Sequence, residues 1–272
     1  VAHEAGGGDA VIPVGVGVAA MLRDRRGTVA NSPHLRWRDV PFGRMLRDRL
    51  GSGYRVGVYN DVNAITWGEH QRGAAAGATD VLAVFVGTGI GGGLVANNRL
   101  VEGASNCAGE IGHVKVDWSD KARPCNCGKR GCVEAYVGGS YLLERLHTEL
   151  HGRARSSAVV RAGGAEFVTP GHIDAAAAEG DRYALALWSE LAPLLGVALA
   201  NAVTLTNPAR LVLGGGVLFG APLLREQAVA AFEIACNAPN RDRCEVVDAA
   251  LGDDAGLIGS ALLAAVSETR SS

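Results

Sequence analysis

Cysteine is scarce in this chain, six residues in 272, yet three of the six stand within eight positions in the stretch RPCNCGKRGCVEAY. Cys125, Cys127 and Cys132 have the spacing C-x-C-x4-C, and Gly128 and Gly131 let the chain fold back so that three sulfurs can converge. Zinc in a structural site takes four ligands in a tetrahedron. The nearest candidate for the fourth is His113, twelve residues before Cys125, and Pro124 bends the intervening stretch toward the cluster. A Cys3His structural zinc site is the reading; three buried cysteines that happen to be neighbours is the alternative. Cys107, Cys236 and Cys244 have no such spacing and read as small apolar residues. Glu110 lies three before His113 in GEIGH, and Glu134 lies two after Cys132. A metal that fixes the cluster would therefore fix two carboxylates and an imidazole, groups suited to sugar hydroxyls. The plainer alternative for a glutamate beside a metal loop is a solvated surface residue.

Two glycine-rich turns are the next candidates. VFVGTGIGGGLVANN follows one strand-like run and enters another, whereas a dinucleotide-binding fold needs G-x-G-x-x-G opening a helix, so Gly87, Gly89 and Gly92 match that spacing through density alone. The bare N–H groups of such a hairpin and the Thr88 hydroxyl can cradle phosphates, unless the hairpin merely turns. LVLGGGV, with Gly214 and Gly215, has the same form and leads into a helix. In VYNDVNAITWGEH, Asp61 stands at the end of a strand and the start of a helix, where the helix dipole and free N–H groups favour an ionised carboxylate. It is either a hydrogen-bond acceptor poised for chemistry or an N-cap and no more.

These residues need elements to hold them. Apolar runs bounded by glycine predict strands over 10–18, 55–59, 81–86, 92–96 and 210–213. Helical periodicity predicts helices over 61–73, 134–150, 181–205, 221–237 and 254–266. Strands and helices interleave, so the class is α/β. Residues 153–164 read as a polar, mobile connection, and breaks are expected near Asn60 and at 252–256. Hydrophobic residues make up 48% and charged residues 20%, with a net charge of -2, which describes a soluble chain with no basic field for nucleic acid or a membrane surface. The apolar runs at 81–86 and 198–205 fall short of the ~20 residues that cross a bilayer. The first ten residues lack the basic-then-apolar order of a secretory signal, so a cytoplasmic location is expected, where clustered cysteines favour metal over disulfide.

Taken in order, IPVGVGV, NSPHLRWRD, NDVNA, GTGIGGG, GEIGH, CNCGKRGCVEAY, LVLGGGV and ALGDDAGLIGSA resemble the ROK family of sugar kinases and repressors. The resemblance implies the two-lobed actin-like ATPase fold, with residues 1–59 and 255–272 in an N-terminal lobe and 60–254 in a C-terminal lobe. It implies an ATP-dependent hexokinase, most like a glucokinase, active as a homodimer. Asp61 would be the general base toward the sugar hydroxyl. Asn60, Asp61, Glu110, His113 and Glu134 would hold the sugar, and His113 would join Cys125, Cys127 and Cys132 on zinc. Gly87, Thr88 and Gly89 would face the ATP phosphates, Gly214 and Gly215 would lie near the adenosine, and Mg2+ would bridge phosphate oxygens. The family's opening D-x-G-x-T hairpin has no counterpart in this sequence, so an incomplete N-terminal lobe is expected. A sugar-binding or regulatory homologue with impaired transfer is the second expectation. Ala19 and Ala20 stand where the family has a glycine-containing turn, and His34 where it has Asn, which leaves mannose, fructose and N-acetylated hexoses beside glucose as substrates.

Overall fold

The computed structural model describes residues 11–32, 35–152 and 156–266. The expected features at Ala10, His34 and 153–155 lie outside these residues. In chain order the elements begin with β1 (Ile12–Val18), β2 (Met21–Leu22), β3 (Val29–Ser32), β4 (Trp37–Val40), α1 (Phe42–Leu50), β5 (Tyr54–Asn60) and α2 (Asp61–Arg72). They continue with β6 (Val81–Val86), β7 (Ile90–Ala96), β8 (Arg99–Val101), α3 (Glu134–Val137), α4 (Gly139–Leu150), α5 (Ser157–Ala162), α6 (Pro170–Ala178) and α7 (Arg182–Thr206). Last come β9 (Arg210–Gly214), α8 (Gly216–Gly220), α9 (Pro222–Ala235), α10 (Ala238–Arg241), β10 (Glu245–Asp248) and α11 (Ala255–Val266). The chain forms two compact units: the described residues of Val1–Gly77, Leu100–Ala108 and Ala250–Ser272, and those of Ala78–Arg99 and Gly109–Ala249.

In the first unit β1 and β5 pair in parallel, from Ile12 against Tyr54 to Val18 against Asn60. Parallel neighbours need a long crossover, and the antiparallel sheet β2-β3-β4 followed by α1 supplies it. Helices α2 and α11 approach so closely that a Cβ at Gly259 would stand 1.7 Å from the carbonyl oxygen of Ala64. A Cβ at Gly15 of β1 would meet the carbonyl oxygen of Ser260 at 1.8 Å, which is why the strand reads V-G-V-G-V rather than as a solid apolar run. Glu69, fully buried near the end of α2, accepts hydrogen bonds from the N–H groups of Ala250 and Leu251 (both 2.9 Å) and of Ala74 (2.8 Å). One carboxylate thus ties the segment before α11 to the turn after α2.

The second unit is built on a sheet of order β10-β9-β6-β7-β8, whose last strand lies where the chain crosses between units. Strands β10, β9 and β6 run parallel, and β6 and β7 form an antiparallel hairpin. All of β6 except Phe85 is buried, the pattern of a strand covered on both faces. Helix α7 is long and apolar enough to cross a membrane by length and composition. Here Trp188, Leu191, Leu195 and Leu199 of α7 lie in the unit's core, as in the central helix of a globular fold. Helix α9 begins at Ala221 without a capping side chain of its own. Buried Asp174 of α6 fills that role, accepting from the N–H of Leu223 (3.1 Å) and Leu224 (3.2 Å) and from the Trp188 indole (2.9 Å).

Several expectations shift. The helix predicted over 134–150 is two helices, because Gly138 is extended (φ -60°, ψ 136°) and the N–H groups of Gly139 and Ser140 turn to the carbonyls of Gly87 and Thr88 at 2.8 Å. The strand predicted to start at Gly92 starts at Ile90, which pairs with Val86 across a three-residue turn. The connection predicted over 153–164 contains α5, whose Ser157 hydroxyl donates to Asp181, the N-cap of α7. Strands β2, β3, β4, β8 and β10 and helices α1, α5, α6 and α10 have no counterpart in the sequence expectations.

Two measurements test these ties. Glu69→Ala removes the acceptor of three part-buried N–H groups and lowers unfolding free energy by about 1–3 kcal/mol in urea titrations; a loss under about 0.5 kcal/mol contradicts the assignment. Burial alone would push the Asp181 carboxyl up, but the N–H groups of Ala184 and Tyr183 and the Ser157 hydroxyl outweigh it and hold it below the ordinary 3.8. A depressed folded-state value gives stability that is complete above the unfolded-state value and is lost as pH falls through the folded one. The stability difference between wild type and Asp181→Ser is therefore full at neutral pH and fades below the ordinary carboxylate range.

Candidate functional site

Between β8 and α3 the chain forms only a short 3-10 turn, Ile111–His113, and two isolated antiparallel bridges, Lys115 with Cys132 and Pro124 with Arg130. The reversals fall where the sequence has glycine: Gly128 and Gly131 take φ of 83° and 77°, a region glycine enters without penalty. As a result the ligand atoms of His113, Cys125, Cys127 and Cys132 all lie within 4.8 Å of one another. Cys127 Sγ is 3.6 Å from Cys132 Sγ, and Cys125 Sγ is 3.7 Å from His113 Nδ1. Zn–S bonds of about 2.3 Å and Zn–N bonds of about 2.0 Å give tetrahedral edges of roughly 3.5–3.8 Å, which these two pairs match, so the donor set could hold one zinc ion. Burial pushes the Cys125 thiol up to about 12, and such a thiol would become a ligand by releasing its proton to solvent as a metal binds the sulfur.

Aromatic residues of α3 and α4 hold the loop from below. Tyr136 Oη accepts from the Arg123 N–H at 3.0 Å and donates to Asp117, with the Arg123 guanidinium 5.4 Å from the centre of its ring. Tyr141 Oη accepts from the Asn126 N–H at 2.6 Å; burial, reinforced by Cys125 and Glu134, pushes this phenol up to about 12. The sequence reading passed over both tyrosines, although CVEAYVGGSY carries them directly after the last cysteine.

Both carboxylates expected around the metal loop lie beside it, each in its own way. His113 turns Nδ1 to the sulfurs, and its Nε2 lies 3.9 Å from Glu110 Oε2. Glu134 reaches the glycine hairpin: Oε2 accepts from the Ile90 N–H at 2.8 Å, while Oε1 lies 4.0 Å from Cys125 Sγ. A Cβ at Gly89 would come within 2.6 Å of that Oε2, so the turn admits the carboxylate only because it lacks a side chain there. Within the turn the Gly87 N–H bonds to the Gly89 carbonyl at 2.9 Å. Among the described residues no acceptor stands against the N–H of Thr88 or Gly89, which with the Thr88 hydroxyl form a small group of donors of the kind that can take an anion. Gly214 pairs with Phe85 across β9 and β6, and a Cβ at Gly215 would lie 2.4 Å from the Val86 carbonyl oxygen. Both glycine turns therefore leave the carboxyl ends of neighbouring parallel strands, where open α/β sheets take their ligands.

Asp61 belongs to the first unit and opens α2. Its neighbour Asn60 is the N-cap, accepting from the Asn63 N–H at 3.0 Å, and its Nδ2 donates to Asp61 Oδ1 at 3.2 Å and to the Ala20 carbonyl at 3.3 Å. Asn60 therefore holds the Asp61 carboxylate in place and ties it to the Ala19–Ala20 turn.

The profile of the ROK family matches residues 1–266. A glucokinase from Halalkalibacterium halodurans is 34% identical over 256 residues, 93% of this chain and 76% of that protein. A xylose repressor from Caldicellulosiruptor bescii is 30% identical over 219 residues, 80% of this chain and 53% of that protein. The crystal structure of a ROK family glucokinase from Streptomyces griseus in complex with glucose and AMPPNP superimposes with a TM-score of 0.79 at 33% identity, covering 94% of this chain and 82% of that one. The α/β fold described above is thus the actin-like ATPase fold of these kinases.

The metal centre has a direct test. Purified wild-type protein should contain one zinc per chain by elemental analysis, and Cys127→Ser, at an exposed position, should contain close to none. Unchanged metal content in the variant removes Cys127 from the ligand set.

Proposed function

The chain belongs to the ROK family, and from that membership and the geometry of the metal loop we propose that it transfers the γ-phosphoryl group of ATP to a hexose, with glucose the foremost substrate. The observation that carries this is the convergence of His113 with three cysteines, which fixes an imidazole beside Glu110 on a loop otherwise free of regular structure. Zinc would be held by His113, Cys125, Cys127 and Cys132 and would serve as a structural cross-link.

Asp61 then accepts the proton of the attacking hydroxyl, and Asn60 keeps its carboxylate oriented. Glu110, His113 and Glu134 accept and donate hydrogen bonds to the sugar, Glu134 through the oxygen not engaged by Ile90. The amides of Thr88 and Gly89 and the Thr88 hydroxyl receive the phosphates, Gly214 and Gly215 leave room for the adenosine, and Mg2+ bound with ATP would neutralise charge on the transferring group. Phosphoryl transfer depends on positioning and charge more than on a strong base, so an ionised aspartate suffices. The glucokinases similar to this chain, and the neighbour solved with glucose and AMPPNP, support this reading. The similarity to a xylose repressor supports a second one, a sugar-binding regulator without efficient transfer.

Purified protein is offered ATP, Mg2+ and, in turn, glucose, mannose, fructose and N-acetylated hexoses, and sugar phosphate is measured. Formation of glucose phosphate, reduced about 10²–10⁴-fold in Asp61→Ala, is the expected result. Calorimetry that finds sugar binding but neither nucleotide binding nor product formation selects the regulator.

A further inference from the structure

The charge of the metal centre is not balanced by its own ligands. Zinc with three thiolates and a neutral imidazole carries a net charge of about -1, and two of the three cysteines are buried, Cys132 at 0% and Cys125 at 6% exposure. A buried charge is costly unless an opposite charge and a hydrogen bond stand beside it. Lys115 offers both, since its Nζ donates to Cys132 Sγ at 2.8 Å. The sulfur it reaches is that of the most deeply buried ligand, the one water reaches least.

Backbone geometry puts the lysine there. Lys115 and Cys132 oppose each other in an antiparallel bridge. The bridge is held by the Val133 N–H to the Val114 carbonyl at 3.0 Å and the Val116 N–H to the Gly131 carbonyl at 2.9 Å. Directly opposed residues of an antiparallel pair send their side chains to the same face. Lys121, Lys129 and Arg130 of the same loop are exposed, and among the described residues none of their side chains is hydrogen-bonded to a sulfur.

We propose that Lys115 is a positioning residue of the metal centre: its ammonium holds the Cys132 sulfur in its ligating orientation and offsets the excess negative charge, and so governs how long the metal is retained. This rests on the zinc reading of the cluster. Zinc-loaded wild type, Lys115→Gln, Lys115→Met, Lys115→Arg and Lys121→Met are each mixed with an excess of chromogenic chelator, and zinc release is followed in time. Partners of metal ligands contribute about 10–100-fold to retention, so the Gln and Met variants release zinc at least about tenfold faster, while Lys115→Arg, which keeps the cation, stays within about threefold of wild type. Lys121→Met releases at the wild-type rate. Wild-type protein that contains no zinc removes the metal reading itself. If the wild type holds one zinc per chain, release at the wild-type rate from a folded Gln or Met variant overturns the role of Lys115 alone, and either folded variant decides. Release from Lys115→Arg as fast as from Lys115→Met also overturns it.

Discussion

Four ligand atoms within 4.8 Å of one another draw residue 113 to the segment 125–132, and the placement of the polar groups around them follows from that convergence. From the end of β8 to the start of α3 the chain has no helix or strand beyond one short turn. Stretches of that length without regular structure are uncommon in compact domains and need cross-links of their own. Here the cross-links are two isolated bridges, the hydroxyls of Tyr136 and Tyr141, and a donor set shaped for zinc. The tyrosines and bridges narrow the loop's conformations, so a metal binding there would have less of the chain to order.

The same loop is joined to the glycine hairpin. Glu134 touches both, with one oxygen on the Ile90 N–H and the other facing Cys125. The first amides of α4 bond to the carbonyls of Gly87 and Thr88. The candidate metal ligands and the hairpin turn thus belong to one network of contacts within a single unit, a shift in one being felt by the other. Glu69 and Asp174 act by the same physics elsewhere, as buried carboxylates whose oxygens satisfy main-chain N–H groups from distant segments.

The sequence disclosed those features in which the residue type itself is the signal. C-x-C-x4-C with a preceding histidine announced a metal loop, and the structure gathers those four residues. The apolar run at 81–86 announced an interior strand, and α7 was legible to within one residue at each end because its buried face repeats over many turns. What escaped has no period. Strands β2, β3 and β4 have two to four residues each, too few for alternation to register. The break between α3 and α4 depends on carbonyls some fifty residues upstream that claim the amides of Gly139 and Ser140. The tie from Asn60 to Asp61, and its capping of α2, likewise rest on a single side chain's orientation, which residue type alone does not disclose.

The carbonyl oxygens of Gly87 and Thr88 point into the first turn of α4. With those two acceptors engaged, the N–H groups of Thr88 and Gly89 stand at the turn with no protein acceptor against them among the described residues. That arrangement is made by the main chain, so it outlasts side-chain replacement everywhere except at Gly89, where a Cβ would collide with the Glu134 carboxylate.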